Sequence, residues 1–115
     1  MSGGALNYVQ GELSSAADSL KSAVEDNTRY IKLRGEEGTL SKDAASDIMK
    51  MLQLTDEIGQ VITASIGVLN PVDFLLSGDT GRDKAYANIV QNKATVQEAI
   101  KRLQATLDYF EKRKR

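Results

Sequence analysis

The sequence predicts an all-α protein, with three long helices in an antiparallel bundle and a short extra helical turn between the second and third helices. Residues that favour helices dominate the 115 positions, which include one Pro, no Trp and six aromatic residues. Apolar residues also recur at steps of three and four, a spacing that places them along one side of a helix. At this length we expect a single domain over residues 1–115.

The first helix is predicted over residues 5–33. Its apolar side chains form one stripe, and Gly11 within it costs about 1 kcal/mol relative to Ala. The two glycines at Gly35 and Gly38 are expected to end the helix. The stripe consists of Leu6, Val9, Leu13, Ala16, Leu20 and Ala23.

The second helix is predicted over residues 42–69, with Thr39 or Ser41 as its N-cap. Apolar residues occupy two overlapping stripes, so this helix is expected to be packed from both sides. Asn70 and Pro71 should end it, because the residue before a proline is pushed out of the helical region. Residues 72–76 would then form the short extra turn.

The third helix is predicted over residues 80–113, with Thr80 and Asp83 spaced as a capping box. One regular apolar stripe, interrupted only by Lys93, runs along it and is expected to face the bundle. Three long helices leave apolar surface uncovered, so a homo-oligomer is expected. The stripe consists of Tyr86, Ile89, Lys93, Val96, Ile100, Leu103, Leu107 and Phe110.

Composition argues against catalysis. The chain contains no Cys and no His, which removes disulfides, thiol nucleophiles, imidazole bases and most transition-metal sites. Its carboxylates are scattered over polar helix faces instead of being paired. We therefore expect a protein that is not an enzyme and has no cofactor and no metal.

Charge and hydropathy limit the kinds of partner that the chain is expected to bind. The net charge of −1 gives no overall attraction to nucleic acid, and the basic tail over residues 112–115 complements the end of a helix. No secretory signal opens the chain, and no run of about 18 consecutive apolar residues is present. A cytoplasmic protein that binds neither nucleic acid nor a membrane is expected.

Six residues are candidates for binding. Phe74 and Leu75 lie beside Asp79 and Arg82 in the segment before the third helix, where they either form a recognition surface or plug the end of the bundle. Lys93 either reaches an anionic group or has a structural role, in which it extends to water from the apolar stripe or sets the register of an oligomer. The sixth candidate is Tyr8, which would contact the base if the ligand is a nucleotide.

Two short segments resemble a group of phage and prophage proteins. The opening Met1 to Tyr8 is similar to a start of MSGG, two variable residues, Asn or Asp, and Tyr. The segment Phe74 to Thr80 is similar to an aromatic residue followed by LLSGD. Trp is common in the group at the position of Phe74, and an acidic Asp-Gly-Glu follows LLSGD, where this chain has Thr80, Gly81 and Arg82. The resemblance implies a small helical accessory protein of viral or mobile-element origin.

These observations lead to one principal hypothesis and two alternatives. The principal one is a non-enzymatic phage or prophage accessory protein that binds and modulates a host protein, including as an inhibitor of host defence. The first alternative is a sponge that sequesters a phosphorylated nucleotide in an inter-subunit pocket, using Lys93, Arg82 and Tyr8. The second is a structural or secreted assembly subunit, since length and the Ala/Ser-rich first helix are also similar to helical hairpins of type VII and type III secretion.

Overall fold

The computed structural model describes residues 4–114 and confirms the all-α prediction. Its elements are α1 (Val9–Glu36), α2 (Lys42–Leu76) and α3 (Arg82–Arg113), and no strand occurs in the described part of the chain. Successive helices run antiparallel. Both α1 and α3 pack against α2, but within residues 4–114 they do not pack against each other. The bundle is therefore a flat layer with α2 in the middle, measuring 58 × 27 × 20 Å.

The two connections between helices have the same construction. Gly38 and Gly78 adopt positive φ angles of 76° and 80°, a conformation that costs other residues a steric penalty. The N–H of the next residue then bonds back five positions, from Thr39 to the Arg34 carbonyl and from Asp79 to the Phe74 carbonyl. Both are Schellman endings. Each allows the chain to reverse within five residues and so places neighbouring helices side by side.

The bounds of α1 differ from the prediction at both ends. It begins at Val9 instead of residue 5, because Asn7 and Tyr8 are left-handed and the preceding N–H groups bond to α2 instead of entering a helix. It ends at Glu36 instead of residue 33, because Gly35 is accommodated as helix and Gly38 makes the turn.

The predicted break at Asn70 and Pro71 is wrong. Helix α2 runs through both residues to Leu76, so residues 72–76 are its last turns and not a separate element. A proline inside a helix costs about 3 kcal/mol. Tertiary contacts act in the other direction here, since Pro71 is buried and Asp73, two residues later, binds the N-terminal segment.

The start of α3 also differs. The helix begins at Arg82, with Gly81 and not Thr80 as the N-cap residue. The hydroxyl oxygen of Thr80 is buried and makes no hydrogen bond with described residues. By contrast, Ser41 caps α2 as expected, accepting the Ala44 N–H at 3.1 Å.

Half of the residues in the predicted stripe on α3 are exposed instead of packing against α2. Ile89, Val96, Leu103 and Phe110 are at least half-buried, as expected, but the residues predicted between them are exposed. Their places against α2 are taken by the preceding residues, which are small or polar and allow close helix packing. The exposed series is Tyr86, Lys93, Ile100 and Leu107, and the packed series is Ala85, Asn92, Ala99 and Thr106.

Polar contacts fix the register between α2 and α3. An ion pair of 3.3 Å joins Asp47 to Arg113 where α2 begins and α3 ends. Further along, the Gln53 side-chain amide donates to the Thr106 hydroxyl at 3.3 Å, and Arg102 donates to the side-chain oxygen of Gln60 at 3.2 Å. Each step forward on α2 therefore matches one step back on α3.

Little of the chain is fully buried. The buried apolar residues among those described are Ile31, Ala64, Ala85 and Ala99.

One helix, α2, is long and apolar enough to cross a membrane by length and composition, and 17% of its most apolar window is buried. Uncharged polar residues interrupt the apolar residues of α2, so the helix has a high mean hydropathy but no unbroken apolar run of about 18 residues.

Candidate functional site

Five of the six predicted binding residues lie at one end of the layer. Because the helices are antiparallel, the start of α1, the end of α2 and the start of α3 meet there. Tyr8 immediately precedes α1, Phe74 and Leu75 are half-buried near the end of α2, and Asp79 and Arg82 are exposed at the connection to α3. This end of the molecule is the candidate functional site.

A hydrogen-bonded clasp organises this end. The Asp73 carboxylate accepts the N–H groups of Gly4 and Leu6, both at 3.2 Å, and the Gln10 side-chain amide at 2.9 Å. The Ser77 hydroxyl accepts the Ala5 N–H at 3.1 Å and donates to Asp73 at 3.4 Å. These residues, Gly4, Ala5, Leu6, Gln10, Asp73 and Ser77, are called the terminal clasp.

Asp73 is the electrostatic centre of the clasp. Burial of its carboxyl group by itself raises the pKa, while the hydrogen bonds from Gln10 and from the N–H groups of Gly4, Leu6 and Ala5 lower it. The hydrogen bonds prevail, so the pKa lies below its ordinary value. Asp73 is therefore a carboxylate at neutral pH, and its lone pairs are used to hold the N-terminal segment.

The turn that delivers these N–H groups depends on Gly4. This residue has a φ of 110°, and a Cβ atom built on it would lie 3.1 Å from the Tyr8 hydroxyl oxygen. Asn7 and Tyr8 follow with φ of 57° and 58°, in the left-handed region. The Tyr8 ring thus folds back over Gly4 while remaining largely exposed.

The clasp joins the two segments singled out in the sequence. Gly4, Ala5 and Leu6 belong to the opening motif, and Ser77 belongs to the LLSGD motif, more than 70 residues away. Met1, Ser2 and Gly3 of the opening motif lie outside the described residues. Sequence reasoning missed Gln10, Asp73 and Ser77 as the residues that make this junction. An available signal was the single acid of the apolar run over residues 72–76, since a carboxylate there needs partners when buried.

The most exposed large apolar side chains of the described residues also lie at this end. They come from three parts of the chain: the turn before α1, the last residue of α2 and the first nine residues of α3. Other large apolar side chains in the described chain are at most 54% exposed. These four residues, called the terminal patch, are Tyr8 (62%), Leu76 (63%), Tyr86 (58%) and Val90 (68%).

Lys93 lies about one helical turn beyond Val90, the patch residue furthest from this end. It is exposed on α3, eleven residues beyond Arg82 and so about 16 Å further along the helix. Within one chain, Lys93 is therefore separated from Arg82 and Tyr8, the other two proposed nucleotide contacts. Its position agrees with the alternative interpretation, in which the ammonium group remains in water.

A cleft of about 670 Å³ with a charged rim lies between α1 and α3, above α2. Its floor contains small residues such as Ala17, Gly59 and Ala99. Charged side chains surround it, and Arg102 is already engaged there by Glu98 at 3.5 Å and by Gln60 at 3.2 Å. The lining carries three carboxylates, Asp18, Asp56 and Glu98, and two basic groups, Lys21 and Arg102, so the cleft keeps a net charge of about −1 and defines the charged side of the layer.

None of the family models, curated proteins or solved structures compared with the chain matches it. Within residues 4–114, no group of three or more acidic, His or Cys side chains is placed to hold a metal ion. The terminal clasp and the terminal patch therefore have to be interpreted from their own chemistry.

Proposed function

We propose that this chain is a small accessory protein of phage or prophage type that acts by binding a host protein, without catalysing a reaction. The terminal patch is the binding surface in this proposal. Its support is one observation: the four most exposed large apolar side chains of the described residues gather at the end of the molecule where both motif segments meet.

The chemistry of the patch suits a protein partner. Aromatic and aliphatic side chains dominate the energy of protein interfaces, and charged groups typically surround them. Tyr8, Leu76, Tyr86 and Val90 provide such anchors, while Asp79, Arg82, Asp83 and Lys84 provide charged groups of both signs nearby.

The clasp gives the patch a defined shape. A short N-terminal segment ordinarily frays, because nothing offsets the entropy lost when it becomes ordered. Here Asp73 and Ser77 fix the backbone immediately before Tyr8. A preordered aromatic anchor binds with a smaller entropic cost. In the proposal, modulation of a host target, including a defence component, results from occupation of its surface by this patch.

Two matched variants test the proposal. Leu76 and Leu33 are both exposed leucines near the C-terminus of a helix, but they lie at opposite ends of the layer. Replacing either with Lys places a positive charge where the helix dipole tolerates it. Tagged wild-type, Leu76→Lys and Leu33→Lys proteins would be used to capture proteins from a bacterial lysate, followed by quantitative mass spectrometry and a circular-dichroism check of folding.

The expected result is a polypeptide captured by wild type and Leu33→Lys and lost with Leu76→Lys. Equal capture by all three folded proteins would contradict the assignment of the surface. If wild type enriches no polypeptide from the bacterial lysate, protein binding itself is contradicted.

A further inference from the structure

A second, largely apolar surface lies on the side of the layer opposite the cleft, where the exposed series of α3 includes Tyr86 and Lys93 beside Ile100 and Leu107. Helical positions two or nine residues apart point in opposite directions, since each residue turns the helix by about 100°. Ile58 is two residues from the cleft residues Asp56 and Gln60, and Ile100 is two residues from Glu98 and Arg102. Tyr30, Met51 and Leu107 each lie nine residues from a cleft residue: Lys21, Gln60 and Glu98, respectively.

These five residues form the flat apolar face: Tyr30 on α1, Met51 and Ile58 on α2, and Ile100 and Leu107 on α3. Their exposed fractions lie between 41% and 54%. The register set by Gln53 with Thr106, and Gln60 with Arg102, brings Ile100 level with Ile58 and Leu107 level with Met51. The face is thus continuous across the α2–α3 junction near the middle of α2.

The chain also exposes more surface than a compact monomer of its mass. A 12.5 kDa protein is expected to have about 6,200 Å² of accessible surface, and this one has 8041 Å². Its radius of gyration is 18.4 Å, against about 13 Å for a compact domain of this length. The excess of roughly 1,800 Å² exceeds the roughly 800 Å² that each partner contributes to a standard interface.

We propose that the flat apolar face is the interface of a homodimer, with a second copy of this chain as its occupant. The buried apolar residues described are one isoleucine and three alanines, a small core for a chain of 115 residues. A partner that is needed to bury this face has to be present whenever the chain folds, and a second copy of the chain meets that condition. Two layers joined by these faces would form a six-helix bundle with α2 of each copy at its centre.

Two-fold symmetry makes the proposal specific. The same patch must face itself in such a dimer. Ile58 lies one residue from the midpoint of α2, the central helix of the layer. An axis that runs along α2, the central helix, places Ile58 beside Ile58 of the second copy. The cleft and its charged rim then remain on the two outer sides.

A single-cysteine experiment tests this arrangement. The chain has no native Cys, so Ile58→Cys provides one reactive thiol at the proposed axis, and Thr63→Cys provides a control on the cleft side of the same helix. The full chain would be treated with a short thiol cross-linker and its mass measured by light scattering before and after. We expect a particle of about 25 kDa, twice the 12.5 kDa chain, and covalent dimers from Ile58→Cys only.

Ile58→Asp provides a second measurement. A carboxylate in the centre of an apolar interface should raise the dimer dissociation constant by about 30-fold or more, whereas Thr63→Asp should leave it unchanged. A folded 12.5 kDa monomer, or equal cross-linking of both cysteine variants, would overturn the proposal. Ile58 lies about 27 Å along α2 from Leu76, so the Ile58 variants leave the Leu76 test of host capture unchanged and the two proposals can fail separately.

Discussion

At the scale of single residues, Asp73 shows how a buried acid can act as a structural link. Sequence reasoning treated the run around it as an apolar turn, with Phe74 and Leu75 as the residues of interest. In the structure Asp73 is only 3% exposed and binds groups from the start of the chain. Two of its partners are the backbone N–H groups of Gly4 and Leu6, which every residue except proline carries, so the sequence offers no distinctive pattern for these two.

Replacing Asp73 with Asn should lower the thermal unfolding midpoint in a pH-dependent way. The folded-state pKa is depressed, so the carboxylate contributes fully above the ordinary Asp pKa of about 3.9 and loses its contribution as the pH falls through the lower folded value. The gap between wild type and Asp73→Asn should be widest near neutral pH and close progressively below about pH 4. Circular dichroism at a series of pH values measures it.

The control for this prediction is Asp18→Asn. Asp18 is an exposed carboxylate on the cleft, so its curve should run parallel to that of wild type. A gap between wild type and Asp73→Asn that stays constant from pH 7 to below pH 3 would show that the charge of Asp73 does not hold the clasp.

At the scale of the elements, close packing between α2 and α3 depends on small residues. Ala85, Asn92, Ala99 and Thr106 recur every seven residues on the side of α3 that meets α2. On α2, Gly67 lies against Asn92, and a Cβ atom there would be 2.9 Å from the Asn92 side-chain oxygen. Larger neighbours on α3 remain outside because the two backbones approach closely.

Gly67→Ala should therefore destabilise the protein, while Gly11→Ala should stabilise it. Both glycines lie inside helices, where Ala is favoured by about 1 kcal/mol. Nothing lies within 4 Å of a Cβ atom at Gly11, so that gain should be realised. At Gly67 the overlap with Asn92 costs about 1–3 kcal/mol and should prevail. Denaturant unfolding measures both changes.

The double variant Gly67→Ala with Asn92→Ala isolates the cause. Removing the Asn92 side chain should recover stability relative to Gly67→Ala alone, because the overlap disappears. Stabilisation by Gly67→Ala equal to that by Gly11→Ala would mean that α2 and α3 are less closely packed at this level than the structure shows.

At the scale of the whole molecule, the flat layer has two dissimilar sides and one distinctive end. The cleft side carries charged groups, the opposite side carries the flat apolar face, and the end carries the terminal clasp and patch. With a small core of its own, the chain should gain much of its stability from association, as obligate dimers do.

Unfolding should therefore depend on concentration. The thermal midpoint of wild type should rise over about a hundredfold increase in protein concentration, because association is linked to folding. Ile58→Asp should reduce this dependence and lower the helical signal at low concentration. A wild-type midpoint that is identical at both ends of the concentration range would indicate a self-sufficient monomer.

The sequence alone went far in predicting the elements and less far in predicting their surroundings. Periodicity predicted three long helices, and the start of α2 after Ser41 and the end of α3 at Arg113 agree with the prediction. The stop at Pro71 failed, because local preference opposes the helix while the burial of Pro71 and the bonds of Asp73 support it. The two motif segments meet at one end of the molecule, and Asp73, which joins them, belongs to neither segment.

What the sequence by itself determined is the all-α class, since helix-forming composition and three-and-four spacing are local properties that act along one segment. What only the tertiary structure decided is which side of each helix is covered. Ala99 and Ile100 point about 100° apart around the axis of α3, and the residues in either direction are able to pack against a neighbouring helix. The closeness of the backbones selected the smaller residues for the interior and left Ile100, Leu107 and Tyr86 facing outward.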